Sequence, residues 1–227
     1  MIRPIRFGRT MSTSPPVGPV VVLIPVKAFS HAKRRLSSAL SSEARAVLAQ
    51  RFANTVVEAA QGLPVAIVCD DEAVVRWAQD RGLIVLHEPG TGLNAAVSSA
   101  VGQLQSLGVT RAVVVHSDLP LARDLRWLGD EPGITLVPDH RHDGTNALSM
   151  PLSHDVVSNF EFSYGVGSFV RHHEQALTLL DRFGIALRVV DDPDLDHDVD
   201  LPEDLDEVLS ASAARRSSPR VRTKGPR

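Results

Sequence analysis

The sequence predicts an α/β fold: one domain on a mostly parallel central sheet, covered by helices on both faces. Three observations lead there. The chain has 227 residues, 43% hydrophobic and 4% aromatic, which suits one core of ordinary size. Short β-branched runs alternate with stretches of helical periodicity, the pattern of a Rossmann-like sheet. The run at 111–116 has Ala112 and three consecutive valines at its centre, as a strand with no solvated face would.

The elements follow in order. Residues 20–25 are a β-branched run bounded by prolines and read as the first buried strand. Residues 42–60 carry Ala46, Leu48, Ala49, Phe52, Val56 and Val57 at helical spacing behind a Ser-Ser-Glu start. Then come a strand at 64–69, a helix at 71–79, a strand at 83–86, a helix at 93–107 and the strand at 111–116. Beyond His116 the pattern weakens. A short helix is expected at 121–127, strands at 134–137 and 147–150 around the polar loop 138–146, a helix at 166–180, a strand at 186–190 and a closing helix at 202–209. This later half has room for a small antiparallel excursion from the main sheet. No internal repeat is visible.

Composition narrows the function classes. No apolar run approaches the roughly 20 residues that cross a bilayer, so a soluble, cytoplasmic protein with no membrane partner is expected. Cys69 is the single cysteine; it ends an apolar run and reads as a buried thiol. Residues 1–18 and 211–227 hold nine of the 24 basic residues and no acid, and lack hydrophobic periodicity. They read as disordered tails around a domain at 19–210, and Met11 offers an alternative start. The domain keeps 15 basic and all 27 acidic residues, a net charge of −12, which argues against nucleic acid as its partner. A homodimer stays open.

Ligands of open α/β sheets sit beyond the carboxyl ends of the strands, so the chemistry is expected in the loops there. After the first strand, Pro25-Val-Lys-Ala-Phe-Ser-His-Ala-Lys-Arg-Arg-Leu36 puts Lys27, Lys33, Arg34 and Arg35 in an otherwise acidic body. They suit a triphosphate, or equally a solvated charge run. Pro89-Gly-Thr-Gly-Leu-Asn94 combines glycines that admit a ligand to the backbone with Asn94 as the expected N-cap of the next helix; it also reads as a plain strand-to-helix turn. In Val115-His-Ser-Asp-Leu-Pro120 an acid stands at the mouth of an apolar strand, where Asp118 is tolerable beside phosphates if it holds a cation such as magnesium. His116 and His140 lack the partners of a transition-metal site. Asp196-His-Asp-Val-Asp200, read as extended, aligns Asp196, Asp198 and Asp200 on one face near Asp118, although a following helix also favours acids there.

Six ordered motifs carry a resemblance over about residues 19–210. They are Pro25-Val-Lys27 with Ala32-Lys-Arg-Arg-Leu36, Gly92-Leu-Asn94, Ser117-Asp-Leu-Pro120, Asp143-Gly-Thr-Asn-Ala-Leu148, Phe162-Ser-Tyr-Gly-Val-Gly-Ser-Phe169 and Asp198-Val-Asp-Leu-Pro202. The chain resembles the guanylyltransferases of deazaflavin coenzyme F-420 biosynthesis, which act on 2-phospholactate, phosphoenolpyruvate or 3-phosphoglycerate. The resemblance implies a GT-A-like nucleotidyltransferase fold, with GTP over the first loops and the acceptor acid near Thr145, Asn146, Gly165 and Ser168. Bare chemistry agrees, because Gly165 and Ser168 open an expected helix whose free amides and hydroxyl attract an anion.

Two departures sharpen this expectation. The Gly-rich loop ending in Thr-Arg-Leu of sugar nucleotidyltransferases is replaced by a lysine-bearing loop, which disfavours sugar phosphates. Where actinobacterial members carry Gly-Thr-Gly-Thr-Ala, this chain has Gly144-Thr-Asn-Ala147, which points to 3-phosphoglycerate or 2-phospholactate rather than phosphoenolpyruvate. The expected roles are Lys27, Lys33 and Arg35 on the triphosphate, Gly92 and Asn94 at the base or ribose, and Asp118 and Asp200, with Asp198 as alternate, on magnesium. Competing readings are a nucleotidyltransferase of molybdenum-cofactor or isoprenoid type, and a catalytically idle nucleotide-binding regulator.

Overall fold

The structure, a computed structural model, describes residues 17–88, 90, 92–199, 204, 205 and 208. Its strands are β1 (Val20–Pro25), β2 (Val65–Cys69), β3 (Ile84–His87), β4 (Arg111–Val115), β5 (Ile134–Pro138), β6 (Thr145–Pro151) and β7 (Leu187–Val189). Its helices are α1 (Ser42–Ala59), α2 (Glu72–Gln79), α3 (Leu93–Ser106), α4 (Arg126–Asp130), α5 (His154–Val157) and α6 (Ser168–Phe183). One seven-stranded sheet has the order β3-β2-β1-β4-β6-β5-β7.

Two-residue alternation explains why both faces are covered. Val21 and Leu23 of β1 enter one core with Val97, Val101 and Leu104 of α3 and Leu179 of α6. Val22 and Ile24 enter the other with Val56 of α1, Trp77 of α2 and Leu128 of α4. A central strand with both faces covered has no solvent face to spend on polar residues, hence the Val-Val-Val-Leu-Ile run. Ser41 starts α1 by accepting the Ala44 N–H at 3.2 Å, and Asp71 starts α2 by accepting the N–H groups of Ala73 and Val74.

The antiparallel excursion is real, and it shapes the site. β6 runs antiparallel between β4 and β5, pairing Ala147 with Val115 and Thr145 with Pro138. The amino end of β6 therefore meets the carboxyl ends of β4 and β5, alongside that of β1, which pairs in parallel with β4.

Several expectations are corrected. The helix expected at 121–127 begins at Arg126 instead, because the Asp124 carboxylate accepts the Arg126 N–H at 3.1 Å and closes a turn there. Gly92, with φ 76°, is the N-cap of α3; Asn94 lies inside the helix. The helix expected from 166 starts at Ser168, because Gly165 and Gly167 hold φ of 121° and 71°, outside the helical region. Of the closing helix expected at 202–209, Asp204, Leu205 and Val208 are described and helical. The short α5 was not expected. Cys69 is buried, and burial pushes its thiol up to about 11, so it is no thiolate nucleophile near neutral pH. Among the described residues no helix is long and apolar enough to cross a membrane.

Candidate active site

The converging strand ends border a cavity of about 620 Å³. Its floor starts with the loop after β1, which turns through two short 3-10 segments, Phe29–His31 and Arg34–Ser38. Between them Lys33 adopts a left-handed backbone, φ 54° and ψ 39°, a conformation that costs a non-glycine residue energy and that tertiary contacts must hold. The contact is visible. Lys33 Nζ lies 2.6 Å from Asp118 Oδ2, and only 5% of the lysine side chain is exposed.

Asp118 stands three residues beyond β4, with 24% of its side chain exposed to the cavity. Burial pushes its carboxyl upward, but the Lys33 ammonium and His116 outweigh that and hold it below the usual carboxylate range. Asp118 is therefore an anion whose charge is already matched. His116 Nδ1 is 4.0 Å from Asp118 Oδ1, and its ring lies 5.1 Å from that of Tyr164 across the cavity wall.

The opposite wall is the loop before α6. Asp143 Oδ1 accepts the Gly167 N–H at 2.9 Å, and the Asp143 carbonyl accepts the Phe169 N–H at 3.0 Å. Ser168 N–H bonds to the Gly165 carbonyl at 2.9 Å. The α6 amides expected to be free are thus committed within the chain. The anion-binding capacity sits just upstream: the N–H groups of Gly165 and Val166 make no hydrogen bond among the described residues, and both residues line the cavity. Ser168 Oγ accepts the Thr145 N–H at 3.1 Å and keeps its own O–H to donate.

Not every expected residue faces the cavity. Lys27, Lys33, Arg35, Asp118, Asn146, Gly165, Ser168 and Asp198 line it. Thr145 is fully buried and absent from the lining, its hydroxyl 3.0 Å from His172 Nδ1. Asn146 is 2% exposed and gives its Nδ2 to the Leu195 carbonyl at 2.9 Å. Gly92 and Asn94 do not line the cavity either; Asn94 uses both ends of its amide on the backbone of Tyr164. Asp196 ends a turn and pairs with His197, so of the two described acids in that run only Asp198 reaches the cavity. Asp200 lies outside the described residues.

Sequence reasoning missed Asp139, Tyr164 and His172. Asp139 accepts the N–H groups of Arg141, Asp143 and Gly144 at 2.9–3.1 Å and so shapes the β5–β6 loop. An Asp followed by Gly five residues later is a faint loop signal; nothing local marks His172. Among the described residues no three His, Cys, Asp or Glu side chains are grouped to hold a metal. Asp118 and Asp198 nevertheless offer the cavity hard carboxylate oxygens, the donor class that magnesium takes.

Comparison with known proteins meets this geometry. A family model described as "Guanylyl transferase CofC like" matches residues 20–222. The chain belongs to that family. A phosphoenolpyruvate guanylyltransferase of Rubrobacter xylanophilus is 34% identical to this CofC-like protein over 88% of the chain and 98% of the relative. A 2-phospho-L-lactate guanylyltransferase of Methanocaldococcus jannaschii is 28% identical over 83% and 81%. Among solved structures, one from Desulfovibrio desulfuricans named for nucleotide-diphospho-sugar transfer superposes with a TM-score of 0.67 at 15% identity, covering 86% of this chain and 87% of that one. CMP:2-keto-3-deoxy-manno-octonic acid synthetase with CTP gives a TM-score of 0.51 at 15% identity, covering 86% and 99%. These likenesses show the nucleotidyltransferase fold that the CofC-like sequence predicts.

Proposed function

We propose that the protein transfers GMP from GTP to the phosphate of a small three-carbon phospho-acid, releasing pyrophosphate, in coenzyme F-420 biosynthesis. The observation that carries this reading is the two-ended cavity: the Lys33–Asp118 pair at one end, the Gly165–Val166 amides with Ser168 at the other. Family membership supplies the guanylyl donor. The relatives at 31–34% identity are named phosphoenolpyruvate guanylyltransferases, so phosphoenolpyruvate is favoured over the acceptors suggested by residues 144–147.

A phosphate oxygen of the acceptor attacks the α-phosphorus of GTP. The new P–O bond forms as the bond to the bridging αβ oxygen breaks, and that oxygen leaves with the electron pair on pyrophosphate. The nucleophile arrives ionised, so no general base is required and catalysis is positioning and charge neutralisation. Lys27 and Arg35, exposed at the cavity rim, and Lys33 beneath them take the triphosphate. Gly165, Val166 and Ser168 orient the acceptor through backbone N–H groups and a hydroxyl. Asp118, with Asp198 and Asp200, is the proposed holder of magnesium, which when bound would neutralise phosphate charge. The test is to incubate the protein with GTP, Mg²⁺ and each of the three acids and to weigh the product. A mass equal to acid plus GMP less water is expected, and no such product with any acid refutes the reading.

A further inference from the structure

Thr145 was expected to touch the acceptor, yet it points into the core, and what it touches there has a role of its own. His172 is fully buried on α6. Its Nε2 receives the Ser163 N–H at 3.0 Å, and its Nδ1 lies 3.0 Å from Thr145 Oγ1. A backbone N–H can only donate, so Nε2 must be unprotonated and Nδ1 must carry the hydrogen given to Thr145. Thr145 N–H in turn reaches Ser168 Oγ at 3.1 Å. One imidazole, held in one tautomer, thus joins the loop before α6, the start of β6 and the first residue of α6.

We infer that His172 is a positioning residue for the acceptor: through Ser163, Thr145 and Ser168 it holds the Gly165–Ser168 segment in its binding shape. The inference rests on the acceptor reading of that segment. The surroundings favour a neutral ring. Phe160 stacks on it at 5.6 Å and Tyr164 meets it edge-on at 5.0 Å. The charged or titratable groups facing it are Arg171, whose guanidinium bonds to the Ser163 and Val166 carbonyls, and His116 from the end of β4, and both oppose a second proton. Burial with these neighbours pushes its pKa down to about 4. A protonated ring would aim N–H at N–H across the Ser163 contact.

Two variants separate positioning from mere packing. His172→Phe fills the space without the hydrogen bonds and should raise KM for the acceptor acid about tenfold while changing KM for GTP less than about twofold. His172→Gln can place an oxygen near the former Nε2, so it should recover most of the acceptor KM. Hydrogen exchange without substrates gives an arm independent of turnover: the hydrogen-bonded amides of Tyr164, Gly167 and Ser168 should exchange about tenfold faster in His172→Phe than in the parent. Equal KM changes for both substrates, or unchanged exchange at Tyr164, Gly167 and Ser168, would overturn the inference. Absence of guanylyl transfer in the parent would instead refute the acceptor reading and leave the exchange result to decide the strut.

Discussion

Asn94 brackets Tyr164: its Oδ1 accepts the Tyr164 N–H at 2.8 Å, and its Nδ2 donates to the Tyr164 carbonyl at 3.3 Å. The first turn of α3 thereby anchors the cavity-lining loop before α6, 70 residues later in the chain. An amide satisfied at both ends by the backbone of one residue is a structural clamp with little left to offer a base edge.

The clamp reverses the expectation for this residue. Asn94→Ala should raise the acceptor KM about tenfold, the equivalent of about 1.4 kcal/mol, and leave the ranking of GTP over other nucleotides intact. Specificity constants for GTP and CTP, measured beside the acceptor KM, check it. A collapsed GTP preference with an unchanged acceptor KM would mean that Asn94 reads the base.

Asp118→Asn keeps the shape and removes the charge. Turnover should fall at least about a hundredfold, because the site loses the carboxylate proposed to hold magnesium against the phosphates. Lys33, only 5% exposed, loses the Asp118 carboxylate, so stability should fall by about 1–3 kcal/mol. Steady-state kinetics and urea unfolding measure the two effects separately. Near-normal turnover would place the chemistry elsewhere.

His172 also sets an acid limit on stability. Its folded pKa, about 4, lies below the ordinary histidine value of 6.5. Between those values the unfolded chain binds more protons than the folded one. The contribution, up to about 3 kcal/mol, is therefore complete above pH 6.5 and is lost as pH falls toward 4. Unfolding free energies across pH 4–7 should flatten in His172→Gln relative to the parent. Parallel curves for the two proteins would contradict it.

Gly133 tests the sheet edge. It holds φ 70°, and a Cβ there would stand 2.1 Å from the Ala186 carbonyl oxygen, the group that accepts the Ile134 N–H at 2.7 Å. Gly133→Ala should cost more than about 2 kcal/mol by combining backbone strain with a clash against the segment entering β7. Chemical denaturation reads this directly, and an unmoved midpoint would show that the edge yields freely.

The nucleotide itself is open to direct competition. GTP should exceed ATP, CTP and UTP by at least about a hundredfold in specificity constant, as two mispaired base-edge groups at about 1–3 kcal/mol each would give. CTP as best substrate would end the guanylyl assignment while leaving nucleotidyl transfer in place.

What the sequence by itself determined was local. The valine run of β4, the unbroken apolar run of β1 and the spacing of Ala49, Phe52 and Val56 in α1 encode what is buried, because the same side chains that prefer a strand or helix must also fill the core. The position of Asp118 at a strand mouth was legible for the same reason. Tertiary structure decided the pairings: Lys33 with Asp118 across 85 residues, Asn94 with Tyr164 across 70 and Thr145 with His172 across 27. It also turned Thr145 away from the cavity: plain alternation would place it on the face of Ala147 and Ser149, toward α4, but the register shift between the Val137–Ala147 and Pro138–Thr145 pairs sets it against His172 of α6. Periodicity records that a face is buried, but the partner it is buried against depends on strand order and register, which long-range packing alone selects.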